Sequence, residues 1–118
     1  MPYIDGFVIP VPTARRDDYR AHEEKWWPSF QKLGALSLVV AWGDEVPPGK
    51  QTDFLRAVDA KEDETVVFCW MTWPDKDTRN AAYKAMEAAM DPADMAEMPF
   101  DGKRMIYGGF TPLLSFGA

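Results

Sequence analysis

The side chain best suited to acid-base chemistry in this sequence is His22, the only histidine. It lies three residues after Tyr19 and four before Trp26, a spacing that places all three on one face of a helix. If that face borders a cleft, His22 is suited to exchange protons near neutral pH, and Trp26 to contact a ligand. The alternative, which the weak signal favours, is a partly exposed histidine hydrogen-bonded at the core edge. Glu23 and Glu24 are expected to be solvated helix charges.

Asp5 and Arg56 are charged residues in or beside segments of apolar strand character. A charge in such a setting is costly unless it is paired, so the two are candidates to pair with each other. One interpretation is a structural salt bridge, which we favour, and the other is a polar anchor for an anionic or carbonyl-bearing ligand. In the second case Phe54, Trp70 and Tyr107 would supply the aromatic wall of the site.

The remaining nucleophiles and metal-binding residue types give weaker signals. Cys69, the only cysteine, lies in an apolar strand and is expected to be a small buried hydrophobe. One cysteine and one histidine cannot assemble a standard zinc site. The methionines of the C-terminal half indicate adaptable packing rather than soft-metal ligation: Met86, Met90, Met95, Met98 and Met105. The sequence therefore predicts neither a metal site nor a cofactor.

The overall composition limits the class of protein. A chain of 118 residues is long enough for one packed core, so residues 1–118 are expected to form a single domain. A net charge of −6 argues against nucleic-acid binding, which depends on Lys and Arg neutralising phosphates. No run approaches the ~20 apolar residues that a membrane span requires. We expect a cytoplasmic protein that binds neither nucleic acid nor membrane.

The hydrophobic periodicity predicts alternating strands and helices. Strands are predicted at 3–11, 35–42, 65–73 and 103–116, and helices at 13–33 and 75–90. Thr13 and Asp75 are the expected N-caps, and Pro28 predicts a kink or break in the first helix. The inward stripe of the second helix is expected to contain Arg79, Tyr83, Met86 and Met90. The segment 54–58 is either a short strand or an irregular crossing.

This order predicts an α+β fold of the ferredoxin-like type, βαββαβ, with four antiparallel strands and both helices on one face of the sheet. The opposite sheet face should be polar in a monomer. The strand 65–73 is apolar on both sides, and so is the strand 35–42. Because soluble monomers rarely expose so large an apolar surface, we expect a second copy of the chain to cover it by two-fold symmetry.

The segment 99–110, with the sequence PFDGKRMIYGGF, resembles a signature of the YbaA-like domain-of-unknown-function family in the dimeric α/β barrel superfamily. The segments YIDGFV at 3–8, RAV at 56–58 and VVFCW at 66–70 fit the same family in the same order. The resemblance implies a ferredoxin-like subunit whose sheet packs on that of a partner to form a barrel. It implies no reaction.

Two hypotheses about function remain open from the sequence. The first is a homodimeric small-molecule binding or structural module with a small hydrophobic ligand, and the absence of a catalytic motif favours it. The second is a small cofactor-free oxygenase acting on a hydrophobic or aromatic substrate, with His22, Asp5, Arg56 and Trp70 around one cleft. The second rests on an analogy between folds.

Overall fold

The computed structural model describes residues 2–96 and 98–117 as one four-stranded sheet with helices. The strands are β1 (Tyr3–Pro12), β2 (Ser37–Trp42), β3 (Glu64–Trp73) and β4 (Ile106–Phe110). The helices are α1 (Arg16–Lys32), α2 (Phe54–Ala57), α3 (Lys76–Ala89) and α4 (Pro92–Ala96). The side chain of Met95 lies outside the described part of the chain. No helix in this part is both long and apolar enough to cross a membrane.

The sheet is antiparallel with the strand order β2-β3-β1-β4. The central strands β1 and β3 pair along their whole length, from Tyr3 opposite Trp73 to Pro12 opposite Glu64. β4 pairs with the first half of β1, and β2 pairs with the second half of β3. The two long helices follow β1 and β3 and pack on one face, so the fold is ferredoxin-like, as the sequence predicts.

The two long helices begin and end close to the predicted residues. A 3-10 turn at Thr13–Arg15 precedes α1, so Thr13 is not its N-cap and instead hydrogen-bonds through Oγ1 to Thr65. Gly34, with φ of 111°, ends the helix. Pro28 causes no break in α1, which continues through this exposed residue to Lys32. Asp75 caps α3 by accepting a hydrogen bond from the Thr78 amide, as predicted.

Two segments differ from the sequence prediction. Residues 54–58 form neither a strand nor an irregular crossing, because Asp53 accepts a hydrogen bond from the Arg56 amide and caps the single helical turn α2. The last strand is expected over 103–116 but spans only Ile106–Phe110. Residues 101–104 form a turn in which Asp101 accepts hydrogen bonds from the Lys103 amide and the Arg104 side chain.

The sheet separates two very different apolar layers. On the helix side, the cluster of Ile9, Val11, Tyr19, Val67 and Cys69 is buried against α1. On the other side, α2 and the residues after it cover one end of the sheet, where Val58 packs on Val8 and Val66. The remainder of that side, here called the open face, is lined by Ile4, Val39, Phe54, Phe68, Trp70, Ile106 and Phe110.

Candidate functional site

An apolar cavity of about 190 Å³ lies between the sheet and helices α1 and α3. The segment 98–105, which precedes β4, closes one side of it. Methionine and aromatic side chains make most of the wall, among them Phe30, Met71, Met86, Met90, Phe100 and Met105. The polar lining side chains are His22, Glu23 and the thiol of Cys69. An apolar space with few polar groups is typical of a ligand site.

His22 is half-buried and belongs to the wall of the cavity. Its ring contacts Phe100 edge to face, with the centroids 5.8 Å apart, and Trp26 at 6.5 Å. Desolvation lowers the pKa of His22, and the positive charge of Lys25 lowers it further. Both effects favour the neutral imidazole. Trp26 lines the cavity beside it.

Glu23 lies one helical turn after Tyr19 and faces the cavity rather than solvent. Desolvation by burial raises the pKa of its carboxyl group. The prediction that Glu23 is a solvated helix charge is therefore wrong. Glu24, one residue further along α1, is exposed and pairs with Arg20 at 2.9 Å, as a surface charge does.

Tyr19 carries the one buried side-chain polar atom without a hydrogen-bond partner in the described part of the chain, its hydroxyl oxygen. The residue is 2% exposed. Burial raises the pKa of Tyr19, and the nearby Glu23 carboxyl and Cys69 thiol raise it further. Glu23 is thus close enough to the hydroxyl to interact with it, and this contact in turn lowers the pKa of Glu23. The two groups do not, however, form a hydrogen bond of regular geometry. We call these two residues the Tyr19–Glu23 pair.

A groove of about 690 Å³ adjoins the cavity on the other side of the Tyr19–Glu23 pair. It runs between α1 and the edge strand β2, and Glu23 and Leu38 line both spaces. The groove is the more highly charged of the two spaces, with Arg16 and Arg20 in its wall. Glu23 therefore lies where an apolar space meets a polar one, and Tyr19 borders the polar one.

Cys69 borders the cavity on β3 and is 3% exposed. Burial, with a contribution from the Glu23 carboxyl, raises the pKa of the thiol to about 12. A thiolate is the nucleophilic form, so this thiol is unreactive at neutral pH. The structure agrees with the interpretation of Cys69 as a buried hydrophobe.

Asp5 belongs to a second buried polar cluster, between β1 and α3, which we call the Asp5 network. The carboxylate is 1% exposed. Its oxygens accept hydrogen bonds from Trp73 Nε1 at 2.9 Å and from Tyr83 Oη at 2.6 Å. Arg79 completes the network with Nη2 at 2.9 Å and Nε at 3.1 Å from Oδ1. The lone pairs of Asp5 are thus occupied by protein donors.

Arg56 lies far from this network, so its expected pairing with Asp5 does not occur. Its side chain is half exposed in the connection between β2 and β3. It donates to the Gly49 carbonyl at 2.7 Å and lies 3.3 Å from the Asp53 carboxylate. These contacts hold the loop before α2. Asp5 instead pairs with Arg79, because α3 packs over the strand that carries Asp5.

The aromatic residues expected to form one wall lie on different sides of the sheet. Phe54 and Trp70 line the open face, where each contacts Phe68. Tyr107 stacks on Phe7 at the β4 edge, with the ring centroids 6.4 Å apart. Of the predicted ligand-contacting residues, Trp26 is the one that lines the cavity together with His22.

Metal binding finds no support in this geometry. Among residues 2–96 and 98–117, no three His, Cys, Asp or Glu side chains cluster in a way that could hold a metal ion. The cavity polar groups are a carboxyl, an imidazole and a thiol, but most of the wall is apolar.

Comparisons of sequence point to proteins without an assigned function. The model of a family described as a protein of unknown function, DUF1428, matches residues 2–102. An uncharacterized protein from Escherichia coli strain K12, YbaA, is 48% identical over 115 residues. The match covers 97% of this chain and 98% of that relative.

Comparisons of structure identify the fold. Two dimeric ferredoxin-like proteins from an uncultured marine organism superpose with TM-scores of 0.60 and 0.62, at 11% and 6% identity. The first match covers 100% of both chains, and the second covers 98% of this chain and 99% of the other. SnoaB, a cofactor-independent oxygenase from Streptomyces nogalater, superposes with a TM-score of 0.51 at 11% identity, covering 99% of this chain and 96% of its own.

Proposed function

This chain belongs to the DUF1428 family, and we propose that it acts in the cytoplasm as a homodimer whose cavity binds a small, mainly apolar ligand. The observation that carries this proposal is the cavity between the helices and the sheet. It is lined by methionine and aromatic side chains and borders only a few polar groups. Flexible methionines adapt their shape to a ligand, so they suit a site of this kind.

The size of the cavity supports a small aromatic ligand. Apolar protein cavities of roughly 150 Å³ hold a benzene molecule without water. The cavity here measures about 190 Å³, and the half-buried His22 and Trp26 form part of its wall. A ligand with one or two fused rings fits this space, and its burial would contribute about 25 cal/mol for each Å² of apolar surface.

The homodimer follows from the open face. Phe68 is 45% exposed and Phe110 is 60% exposed, in the middle and at the edge of a continuous apolar surface. Soluble monomers rarely carry such a patch. The marine neighbours of the same fold are described as dimeric, and a second copy of this chain would present an equally apolar face by two-fold symmetry.

The oxygenase alternative finds less support. It required His22, Asp5, Arg56 and Trp70 around one cleft, whereas only His22 lines the cavity. The carboxylate of Asp5 is fully engaged by protein donors, and Trp70 lies on the opposite side of the sheet. SnoaB is similar to this chain in fold, at 11% identity, and the similarity does not extend its oxygenase activity to this chain.

Calorimetric titration with naphthalene tests the binding proposal. We expect saturable binding to one site for each chain. Met90→Trp, which fills the cavity with an indole ring, should abolish binding, whereas the control Met90→Leu conserves volume and should retain it. Absence of naphthalene binding to the unmodified protein, or equal binding by Met90→Trp, would refute the proposed site.

Light scattering at micromolar concentrations tests the dimer. The unmodified protein should have twice the chain mass of 13.4 kDa. Phe68→Glu places a charge at the centre of the open face and should give a folded monomer. Leu36→Glu is the matched control, because Leu36 is 61% exposed but lies outside the open face. A monomeric unmodified protein would contradict the proposal.

A further inference from the structure

The hydroxyl group of Tyr19 is a structural anomaly in an otherwise well-satisfied fold. A buried hydroxyl without a partner costs roughly 1–3 kcal/mol, and phenylalanine would fill the same space without that cost. The ring itself is well packed, edge to face with Phe100 at 5.8 Å. The hydroxyl therefore adds nothing to the packing of the free protein. A bound ligand that forms a hydrogen bond with the Tyr19 hydroxyl would give this group a function.

The surroundings of this hydroxyl restrict what the other molecule can be. On one side lies the apolar cavity and on the other the polar groove, and Glu23 lines both. A molecule lying in the cavity with one end towards the groove would bring that end to the Tyr19–Glu23 pair. Its body must be apolar, and its end must form hydrogen bonds.

We propose that the Tyr19–Glu23 pair is the polar anchor of the cavity and recognises the hydroxyl group of a phenol-like ligand. This inference rests on the proposed binding function and names the class of its ligand. The ligand hydroxyl donates a hydrogen bond to the Glu23 carboxyl and accepts one from Tyr19 Oη. Both protein groups then have partners, and the ring of the ligand occupies the space lined by Phe30, Met86 and Met90.

A hydroxyl fits this anchor better than other polar groups do. A hydroxyl donates one hydrogen bond and accepts others, so one atom serves both protein groups. An ether or a ketone only accepts, and would leave the Glu23 oxygen without a donor. A carboxylate ligand would place a second negative group beside Glu23, which is unfavourable in a desolvated site.

His22 also lines the cavity, but its ring packs on Phe100 and Trp26. Cys69 is close to Tyr19 but provides only a weak donor. The carboxyl of Glu23 is the strongest acceptor among the polar side chains that line the cavity.

Three probes of similar shape test the anchor: 2-naphthol, 2-methoxynaphthalene and naphthalene, each titrated calorimetrically into the full-length protein. We expect 2-naphthol to bind about tenfold more tightly than the other two, the gain from about one net hydrogen bond. Tyr19→Phe should reduce this preference to near unity by weakening 2-naphthol binding, with naphthalene affinity unchanged.

The control is Tyr83→Phe, which removes a half-buried tyrosine hydroxyl that donates to the Asp5 carboxylate, at a residue that does not line the cavity. It should keep the preference for 2-naphthol. If naphthalene binds and 2-naphthol binds no more tightly, the anchor is refuted while the binding function stands. If no probe binds, the binding function is refuted, and the anchor with it. A preference that survives Tyr19→Phe would also overturn the assignment.

Discussion

Two tyrosines lie beside carboxyl groups on the helix side of the sheet, Tyr19 buried and Tyr83 half-buried, and their environments differ. Tyr83 Oη donates to Asp5 at 2.6 Å within a network that Arg79 and Trp73 complete. Tyr19 Oη lies near Glu23 and has no hydrogen-bond partner. Burial raises the pKa of both phenols. A tyrosine beside a carboxyl group thus has its hydrogen bond formed in one place and not formed in the other, within one domain.

The difference separates a structural cluster from a candidate binding site. In the Asp5 network Trp73, Arg79 and Tyr83 all donate to the carboxylate, and Arg79 also lies over the rings of Tyr3 and Tyr83. Such a cluster fixes α3 on the sheet and leaves no room for a ligand. Glu23 borders both the cavity and the groove, Tyr19 borders the groove, and the Tyr19 hydroxyl has no hydrogen-bond partner.

The largest effect is expected from breaking the satisfied site. Asp5→Asn leaves the partly buried guanidinium of Arg79 without its counter-charge, and the loss should approach the value of about 3–5 kcal/mol for a fully buried pair. Urea denaturation at fixed protein concentration measures it. The double variant Asp5→Asn with Arg79→Gln should recover part of the loss, because no unpaired charge remains. A loss below about 1 kcal/mol for Asp5→Asn would show that the network is not structural.

A smaller, pH-dependent effect is expected at the unsatisfied site. The pKa of Glu23 is raised in the folded protein above its ordinary value of 4.5, because the carboxyl is desolvated. As the pH rises above 4.5, the unfolded chain loses this proton more readily than the folded chain does. The contribution of Glu23 to the free energy of unfolding therefore falls as the pH rises, until the pH exceeds the pKa of Glu23 in the folded protein.

Glu23→Gln should remove this dependence. Melting curves from pH 4 to pH 7 should show the variant gaining stability relative to the unmodified protein as the pH rises. Glu24→Gln is the control, because Glu24 is exposed and paired with Arg20. A difference that is constant with pH, or that falls, would contradict the burial of the Glu23 carboxyl.

The smallest effect on stability is expected at Arg56. The sequence predicts that Arg56 pairs with Asp5, but in the structure it contacts Gly49 and Asp53. Arg56→Met removes loop contacts of a half-exposed side chain and should cost about 1 kcal/mol or less, with no change in cavity binding. Naphthalene titration and urea denaturation check both parts. A loss of stability as large as that of Asp5→Asn would instead support the Arg56–Asp5 salt bridge expected from the sequence.

Hydrophobic periodicity predicts most of the fold because the long elements pack through regular stripes. The strands β1 and β3 and the helices α1 and α3 are confirmed to within a few residues. The turn α2 is missed because a helix of four residues has no periodicity, and only its cap, Asp53, signals it. β4 is shorter than predicted because its partner β1 pairs with it only from Ile4 to Val8.

The candidate site is predicted less well because it depends on which helix faces meet the sheet. Arg79 lies in the predicted inward stripe of its helix, and a charge in such a stripe needs a buried partner, which is Asp5. Glu23 lies four residues after Tyr19, so the helical period already places the two on one face. Because Glu24 follows Glu23 directly, the sequence instead predicts that both are solvated charges on the helix surface. The unsatisfied hydroxyl itself has no sequence signal.

The stability of Tyr19→Phe in the absence of ligand tests most directly the claim that one buried polar site is built for structure and the other for a ligand. Urea denaturation should show the variant to be more stable than the unmodified protein by about 1 kcal/mol, because it removes a buried hydroxyl without a partner. Tyr83→Phe, measured alongside, should be less stable. A loss of stability in Tyr19→Phe comparable to that in Tyr83→Phe would mean that both hydroxyls serve the fold, and would contradict the account.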